Sequence, residues 1–131
     1  MTDSIFTKII RGEIPSYKIY EDDKTFAFLD INPVQPGHTL VVPKIQIGKF
    51  YELPDEDLTA LFRAVKKIAA NMEKVLDKRT TVQIEGFDMG DHVHIKLIPA
   101  DTGEEFRALP GTASQEDLAA MAEKLRLPDS K

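Results

Sequence analysis

The sequence predicts an α+β fold in which helices pack on a mainly antiparallel sheet. One long segment, from about Pro54 or Asp55 to about Asp77, repeats apolar residues every three or four positions, as an amphipathic helix does. Shorter β-prone runs are grouped on both sides of it, instead of alternating one by one with helices. At 131 residues the chain can bury one core, so we interpret residues 1–131 as a single domain.

The predicted strands are short runs with an excess of β-branched and aromatic side chains. They are 17–21, 25–29, 38–43, 80–85 and 92–99. The polar residues 22–24 separate the first two runs and predict a hairpin. Pro33, Pro36 and Gly37 precede the third run, and they predict a rigid loop that ends in a tight turn.

Three helices are predicted from apolar spacing and from end signals. They are a short N-terminal helix at 5–10, a long central helix at about 55–77 and a C-terminal helix at about 115–126. Asp3 or Ser4 can cap the first helix and Ser114 the last. The long helix begins with acidic residues at 55–57 and is followed by basic residues at 78–79, which suits the helix dipole.

Composition restricts the possible functions. The formal net charge is −5 and the pI is about 5.2, whereas a surface for nucleic acid polymers needs clustered Lys and Arg. The chain has no cysteine, which excludes disulfides, thiolate metal sites and thiol nucleophiles. The first residues lack a signal-peptide pattern, and no apolar run reaches membrane-spanning length. We therefore expect a cytoplasmic protein with no membrane partner and no nucleic acid polymer as partner.

The most informative stretch is 91–99, which contains the last predicted strand. Apolar and polar residues alternate there, so that a strand places His92, His94 and Lys96 on one face. Two imidazoles and an ammonium on one face suit the floor of a site that handles phosphate. Two of the three histidines of the chain lie in this stretch.

Three interpretations of these histidines stay open at this point. They can be surface residues without a role. They can bind a metal together with Asp88 or Asp91, although the sequence offers no further clear ligand. They can also carry nucleophilic chemistry, in which a neutral imidazole attacks phosphorus and a neighbouring donor stabilises the developing charge.

Other candidate residues lie earlier in the chain. Asp30 ends a strand, and it either caps the following loop or accepts hydrogen bonds from the hydroxyls of a ribose. His38 is interpreted as a structural hydrogen-bonding residue at a strand start. A third group of residues is most simply interpreted as part of the hydrophobic core, but the same residues can equally form an apolar slot for a flat base. This group is Phe6, Ile9, Ile14 and Ile31.

Five segments, taken together and in order, resemble the histidine-triad (HIT) family of nucleotide hydrolases and transferases, specifically its Hint-like branch. They are 5–15, 20–23, 26–33, 36–44 and 92–99. The resemblance therefore covers a predicted core of 1–99 and leaves 100–131 as a C-terminal extension that contains a helix. It implies a five-stranded antiparallel sheet, and usually a homodimer formed across the long helix and a shared sheet edge.

The resemblance also implies a purine nucleotide as substrate and attack on its α-phosphate. His94 matches the nucleophilic middle histidine of the family motif, and His92 matches the first histidine, which positions the nucleophile. Asp30 matches the carboxylate that binds ribose. The family lines its base pocket at the positions of Phe6, Ile9, Ile14 and Ile31. No cofactor and no metal are expected.

The chain departs from the family pattern at the phosphate end of the site. Lys96 stands in place of the third histidine, and Gln46 stands where another active-site histidine is usual. Ile84 takes a position often held by Asn, and the loop 86–91 is short. Two hypotheses follow: a nucleotide hydrolase that uses a nucleotidyl-histidine intermediate with Lys96 countering phosphate charge, or a nucleotide-binding protein with weak or lost activity.

Overall fold

The computed structural model describes residues 2–130, so the two end residues of the predicted domain 1–131 lie outside it. The strands are β1 (Lys18–Glu21), β2 (Thr25–Leu29), β3 (Thr39–Pro43), β4 (Thr80–Glu85) and β5 (His94–Pro99). The α-helices are α1 (Ile5–Ile10), α2 (Asp55–Leu76), α3 (Gly103–Phe106) and α4 (Gln115–Leu125). A turn of 3-10 helix covers Phe50–Glu52.

The five strands form one sheet in the order β1-β2-β3-β5-β4. Every neighbouring pair is antiparallel. The predicted α+β class and the five-stranded antiparallel sheet are therefore confirmed. Within residues 2–130, no helix combines the length and apolar character needed to cross a membrane.

The predicted elements agree with the structure where the local pattern is long or regular. The predicted bounds of β2, β4 and α1 match the observed ones, and α2 ends one residue earlier than predicted. The predicted start of the last strand at His92 was wrong, because β5 starts at His94. Gly90 and Asp91 have positive φ angles, 90° and 60°, and these left-handed residues keep the chain before His94 out of the strand. The short helix α3 was not predicted.

The sheet has two different faces, which we call the α2 face and the α1 face. On the α2 face, strand residues such as Val41, Ile95 and Leu97 pack with Leu61 and Ile68 of α2 in the larger core. α4 extends this core by burying Leu118, Ala122 and Leu125. Burial of one large aliphatic side chain stabilises the fold by about 1.5–3 kcal/mol, so the α2 face contributes most of the apolar stabilisation.

The α1 face carries a smaller core. Phe6 of α1 packs there with Phe26, Phe28, Leu40 and Val42. Neighbouring residues of one strand point to opposite faces, which places Leu40 on the α1 face and Val41 on the α2 face. The same alternation sends Ile95 to the α2 face and His94 to the α1 face. The α1 face is therefore the side of the sheet on which the candidate site lies.

Candidate active site

A row of polar side chains crosses the α1 face beside the aromatic cluster. β5 contributes His94 and Lys96, and the end of β4 contributes Glu85, which is directly opposite His94 in the strand register. Asp30 and His38 lie at the ends of β2 and β3. Two strands and two loop junctions thus bring these five residues to one side of the sheet.

His94 is held in one tautomer. Its Nδ1 lies 3.0 Å from the backbone oxygen of His92, and because a carbonyl only accepts, Nδ1 must carry the proton. Nε2 then keeps its lone pair. The residue is 2% exposed, and burial lowers the pKa of His94 below its usual value, which favours the neutral ring. His94 therefore presents the form of imidazole that acts as a nucleophile.

His92 is fixed from both sides. Its Nε2–H donates to the backbone oxygen of Pro43 at 2.8 Å, so its Nδ1 accepts a hydrogen bond from the Ser4 hydroxyl at 2.6 Å. Burial again lowers the pKa, here of His92, and the residue is 0% exposed. Since His92 is sealed inside the protein, it acts on His94 through its backbone carbonyl. The interpretation of both histidines as surface residues was wrong.

Phe6 supports both imidazoles from α1. Its ring centroid lies 4.9 Å from that of His94 and 5.6 Å from that of His92, both in edge-to-face geometry. Phe6 is itself 1% exposed. This residue therefore belongs to the core, where it limits rotation of the histidine rings.

Gln46 anchors the N-terminal segment to the histidines. Its Oε1 accepts from the backbone N–H of Ser4 at 2.8 Å and from the Thr7 hydroxyl at 2.9 Å. Its Nε2 donates to the backbone oxygens of Thr2 and Gly90, at 2.9 and 3.0 Å. Gln46 thus takes a structural role at the position where the resemblance leads one to expect a histidine. Ser4 also caps α1, since its Oγ accepts from the N–H of Thr7 at 2.9 Å.

Glu85 is a site residue that the sequence analysis missed. One of its carboxylate oxygens lies 2.9 Å from Lys96 Nζ, and the other lies 3.7 Å from His94 Nε2. Its neighbour Ile84, which the resemblance singled out, packs instead against the larger core. The pairing of Glu85 with His94 depends on the register between β4 and β5, and strand alternation within β4 was the one available signal.

Asp30 and His38 form the other end of the polar row. Asp30 Oδ1 accepts from the backbone N–H of Asn32 at 2.8 Å, which confirms the capping interpretation. His38 Nδ1 accepts from the N–H of Val34 at 3.1 Å, which confirms its structural hydrogen bond. His38 Nε2 lies 3.7 Å from Asp30 Oδ2 and, among residues 2–130, has no hydrogen-bond partner. Burial lowers the pKa of His38, and the Asp30 carboxylate opposes this shift.

The three remaining apolar candidates differ in burial. Ile9 is partly buried against the cluster on the α1 face, and Ile14 is half-buried. Ile31 is 59% exposed, so its interpretation as a core residue was wrong. A cavity of about 490 Å³ is lined by Asp30 and His38 and by Met121 of α4. Of the three isoleucines, Ile31 is the most exposed to solvent.

The metal hypothesis lacks a ligand set in the part of the chain that the structure describes. No group of three or more His, Asp or Glu side chains there is arranged to hold an ion. Both ring nitrogens of His92 already make hydrogen bonds within the protein. Among the described residues, His94 Nε2 accepts no hydrogen bond, and its lone pair faces Glu85 Oε1 at 3.7 Å.

Comparison with known proteins extends this description. The model of the HIT domain family matches residues 11–103. An adenosine 5′-monophosphoramidase from Candida albicans is 40% identical over 106 residues, which cover 72% of this chain and 68% of that protein. An adenylylsulfatase from Arabidopsis thaliana is 36% identical over 102 residues, 74% of this chain and 52% of that protein.

A solved structure is also similar over nearly the full length. It is that of a Hit-like protein from Bartonella henselae, which is 36% identical with a TM-score of 0.82, and the match covers 96% of this chain and 98% of the other. The matched part of this chain includes all five strands and the polar row.

Proposed function

Because this chain belongs to the HIT domain family, we propose that it is a purine nucleotide hydrolase that acts at the α-phosphate of nucleoside phosphoramidates or related nucleotides. The observation that supports this most is the state of His94: a neutral imidazole whose Nδ1–H is held by a carbonyl, and whose Nε2 accepts no hydrogen bond from residues 2–130. The names of the two relatives, a phosphoramidase and an adenylylsulfatase, support a nucleotide hydrolase.

The proposed reaction has two displacement steps. In the first, the Nε2 lone pair of His94 forms a bond to the α-phosphorus, and the bond from phosphorus to the leaving group breaks. The departing amine keeps the electron pair and takes a proton from solvent. In the second, water attacks the phosphorus of the nucleotidyl-histidine and releases its proton to solvent. The bond to Nε2 breaks, and the neutral imidazole is restored.

Each other residue of the site has a proposed part in this reaction. Lys96, at the position of the third triad histidine, neutralises the phosphate oxygens, and the carbonyl of His92 orients the nucleophile. Asp30 uses Oδ2 to accept from the ribose hydroxyls. Ile9, Ile14 and Ile31 contact the base, and Phe6 supports this slot from the core. These apolar contacts do not specify one base, so the choice of a purine rests on the family resemblance.

A second candidate is a nucleotide-binding protein with weak or lost turnover. It is favoured by the ion pair between Glu85 and Lys96, because Lys96 must leave this carboxylate, at least partly, before it can contact phosphate. As an ammonium, Lys96 also has no lone pair with which to accept a proton.

Steady-state hydrolysis of adenosine 5′-phosphoramidate and of a diadenosine polyphosphate separates the two candidates. The hydrolase predicts turnover that His94→Ala abolishes and that a chelator leaves unchanged. Nucleotide binding without turnover in the wild type supports the second candidate. If neither binding nor turnover occurs, both candidates fail.

We also propose that the protein is cytoplasmic and forms a homodimer across α2 and a sheet edge. Phe62 and Val75 are large apolar residues on the exposed side of α2, and they support an interface there. Light scattering tests this proposal. A mass near twice 14.7 kDa is expected, whereas a mass near 14.7 kDa would contradict it.

A further inference from the structure

The position of Glu85 bears on which leaving groups the proposed site accepts. Its side chain is 17% exposed and bridges two groups, with one carboxylate oxygen 2.9 Å from Lys96 Nζ and the other 3.7 Å from His94 Nε2. A carboxylate so close to an attacking nitrogen is unexpected in a site for anions. The position of Glu85 therefore needs a functional explanation.

The charged groups around His94 carry a net negative charge, which disfavours binding of a polyanion. The charged groups that act on His94 are Glu85, Lys96 and Asp30, and these are two carboxylates against one ammonium. The site thus contributes a local net charge of −1 before a substrate enters. A phosphate brings negative charge of its own, and any further negative charge on the leaving group adds repulsion.

Distance does not remove this repulsion. A nucleophile attacks from about 3–3.5 Å, so every atom bonded to the reacting phosphorus lies within a few ångströms of His94 Nε2. Glu85 is 3.7 Å from the same nitrogen. The leaving group is therefore well inside the screening length of about 10 Å that applies at 0.1 M salt.

We infer that Glu85 is a specificity-determining residue that disfavours anionic leaving groups. The site then prefers nucleoside phosphoramidates to mixed anhydrides such as adenosine 5′-phosphosulfate. This inference rests on the proposed function. A phosphoramidate releases a neutral amine once a solvent proton is added. Adenosine 5′-phosphosulfate releases sulfate dianion, which takes the electron pair of the broken bond and keeps its charge beside Glu85.

The test compares two substrates that share the nucleotide and differ in the leaving group. kcat/KM is measured for adenosine 5′-phosphosulfate and for adenosine 5′-phosphoramidate, and their ratio is followed. Glu85→Gln keeps the shape of the side chain and removes its charge, so the ratio should rise about tenfold or more. Lys96→Met leaves Glu85 unpaired and should lower the ratio. Glu116→Gln, an exposed change on α4, is the matched control and should leave the ratio within about twofold.

A ratio that is unchanged or lower in Glu85→Gln overturns the inference, provided that circular dichroism shows a folded variant. If the wild type hydrolyses neither substrate, the proposed hydrolase function is wrong. The affinities for AMP and for adenosine then test the charge effect of Glu85. Glu85→Gln should tighten binding of AMP about fivefold or more without changing that of adenosine, which lacks the phosphate. Equal effects on the two ligands, or binding of neither, overturn the inference as well.

Discussion

The α2 face of the sheet is covered by apolar side chains, whereas the α1 face combines an aromatic cluster with buried histidines and a buried serine. On the α2 face, Leu61 and Ile95 are both 0% exposed and need only shape to fit. On the α1 face, His92 is equally inaccessible, but it needs two hydrogen bonds to offset its lost hydration. The difference teaches that one face supplies stability and the other fixes His94 in one neutral tautomer.

Truncation on the α2 face should have the largest effect on stability. Leu61→Ala leaves a cavity in the core and should lower the free energy of unfolding by about 2–5 kcal/mol. The histidines lie across the sheet, so kcat/KM of the folded protein should stay close to the wild-type value. Denaturant unfolding and steady-state kinetics check this prediction. A large loss of kcat/KM at full folding would show that the two faces are not separable.

Removal of the serine hydroxyl on the α1 face should give the opposite pattern. Ser4→Ala loses a helix cap and leaves His92 Nδ1 without its donor, at a cost of about 1–3 kcal/mol in stability. Because His92 orients His94, kcat should also fall.

Ser114→Ala is the matched control for this change. Ser114 caps α4 in the same way, through the N–H of Asp117, but contacts neither His92 nor His94. It should lose about 0.5–2 kcal/mol of stability with kcat unchanged. Equal kcat values in the two variants would remove the proposed role of Ser4.

The buried histidines should make stability depend on pH. The pKa values of His38, His92 and His94 are all lowered in the folded protein, so below the usual value of 6.5 the unfolded chain binds more protons than the folded one. Stability should therefore fall as the pH drops from about 7 toward 5, by at most about 1.4 kcal/mol per pH unit for each histidine. Urea unfolding at pH 7 and pH 5.5 measures the effect, and equal stability at both would contradict it.

The smallest expected effect on stability comes from the exposed edge of the proposed base slot. Ile31→Ala removes a side chain that is mostly in solvent, so stability should change by less than about 0.5 kcal/mol. KM for the nucleotide should nevertheless rise severalfold, because the base loses an apolar contact. Ile45→Ala, another exposed isoleucine, should leave KM unchanged. The proposed slot fails if both variants have the wild-type KM.

Much of the fold could be predicted from the sequence, because apolar periodicity and turn residues act between positions that are close in the chain. The apolar spacing of α2 repeats over six turns, and the hairpin of β1 and β2 needs only a turn between two β-prone runs. α3 escaped prediction because four residues are too few to show a helical period. The predicted division into a core of 1–99 and an extension of 100–131 stays a prediction.

The candidate site was predictable only in part. Strand alternation nominated His92, His94 and Lys96, and the position of Asp30 at a strand end nominated that residue. The resemblance supported all four, and the structure brings them to one side of the sheet. It did not nominate Glu85, which faces His94 only through the register of two strands. The bonds from Ser4 to His92 and to Gln46 join residues 88 and 42 positions apart, and no local pattern contains such pairs.

The central claim is that the Nε2 lone pair of His94 attacks phosphorus, and trapping of the intermediate tests it most directly. The protein is mixed with adenosine 5′-phosphoramidate, quenched in alkali, which preserves phosphorus–nitrogen bonds, and digested for mass spectrometry. We expect an adenylyl group on His94, and none in His94→Ala. Turnover with the adenylyl group on another residue, or turnover in His94→Ala, would contradict the claim.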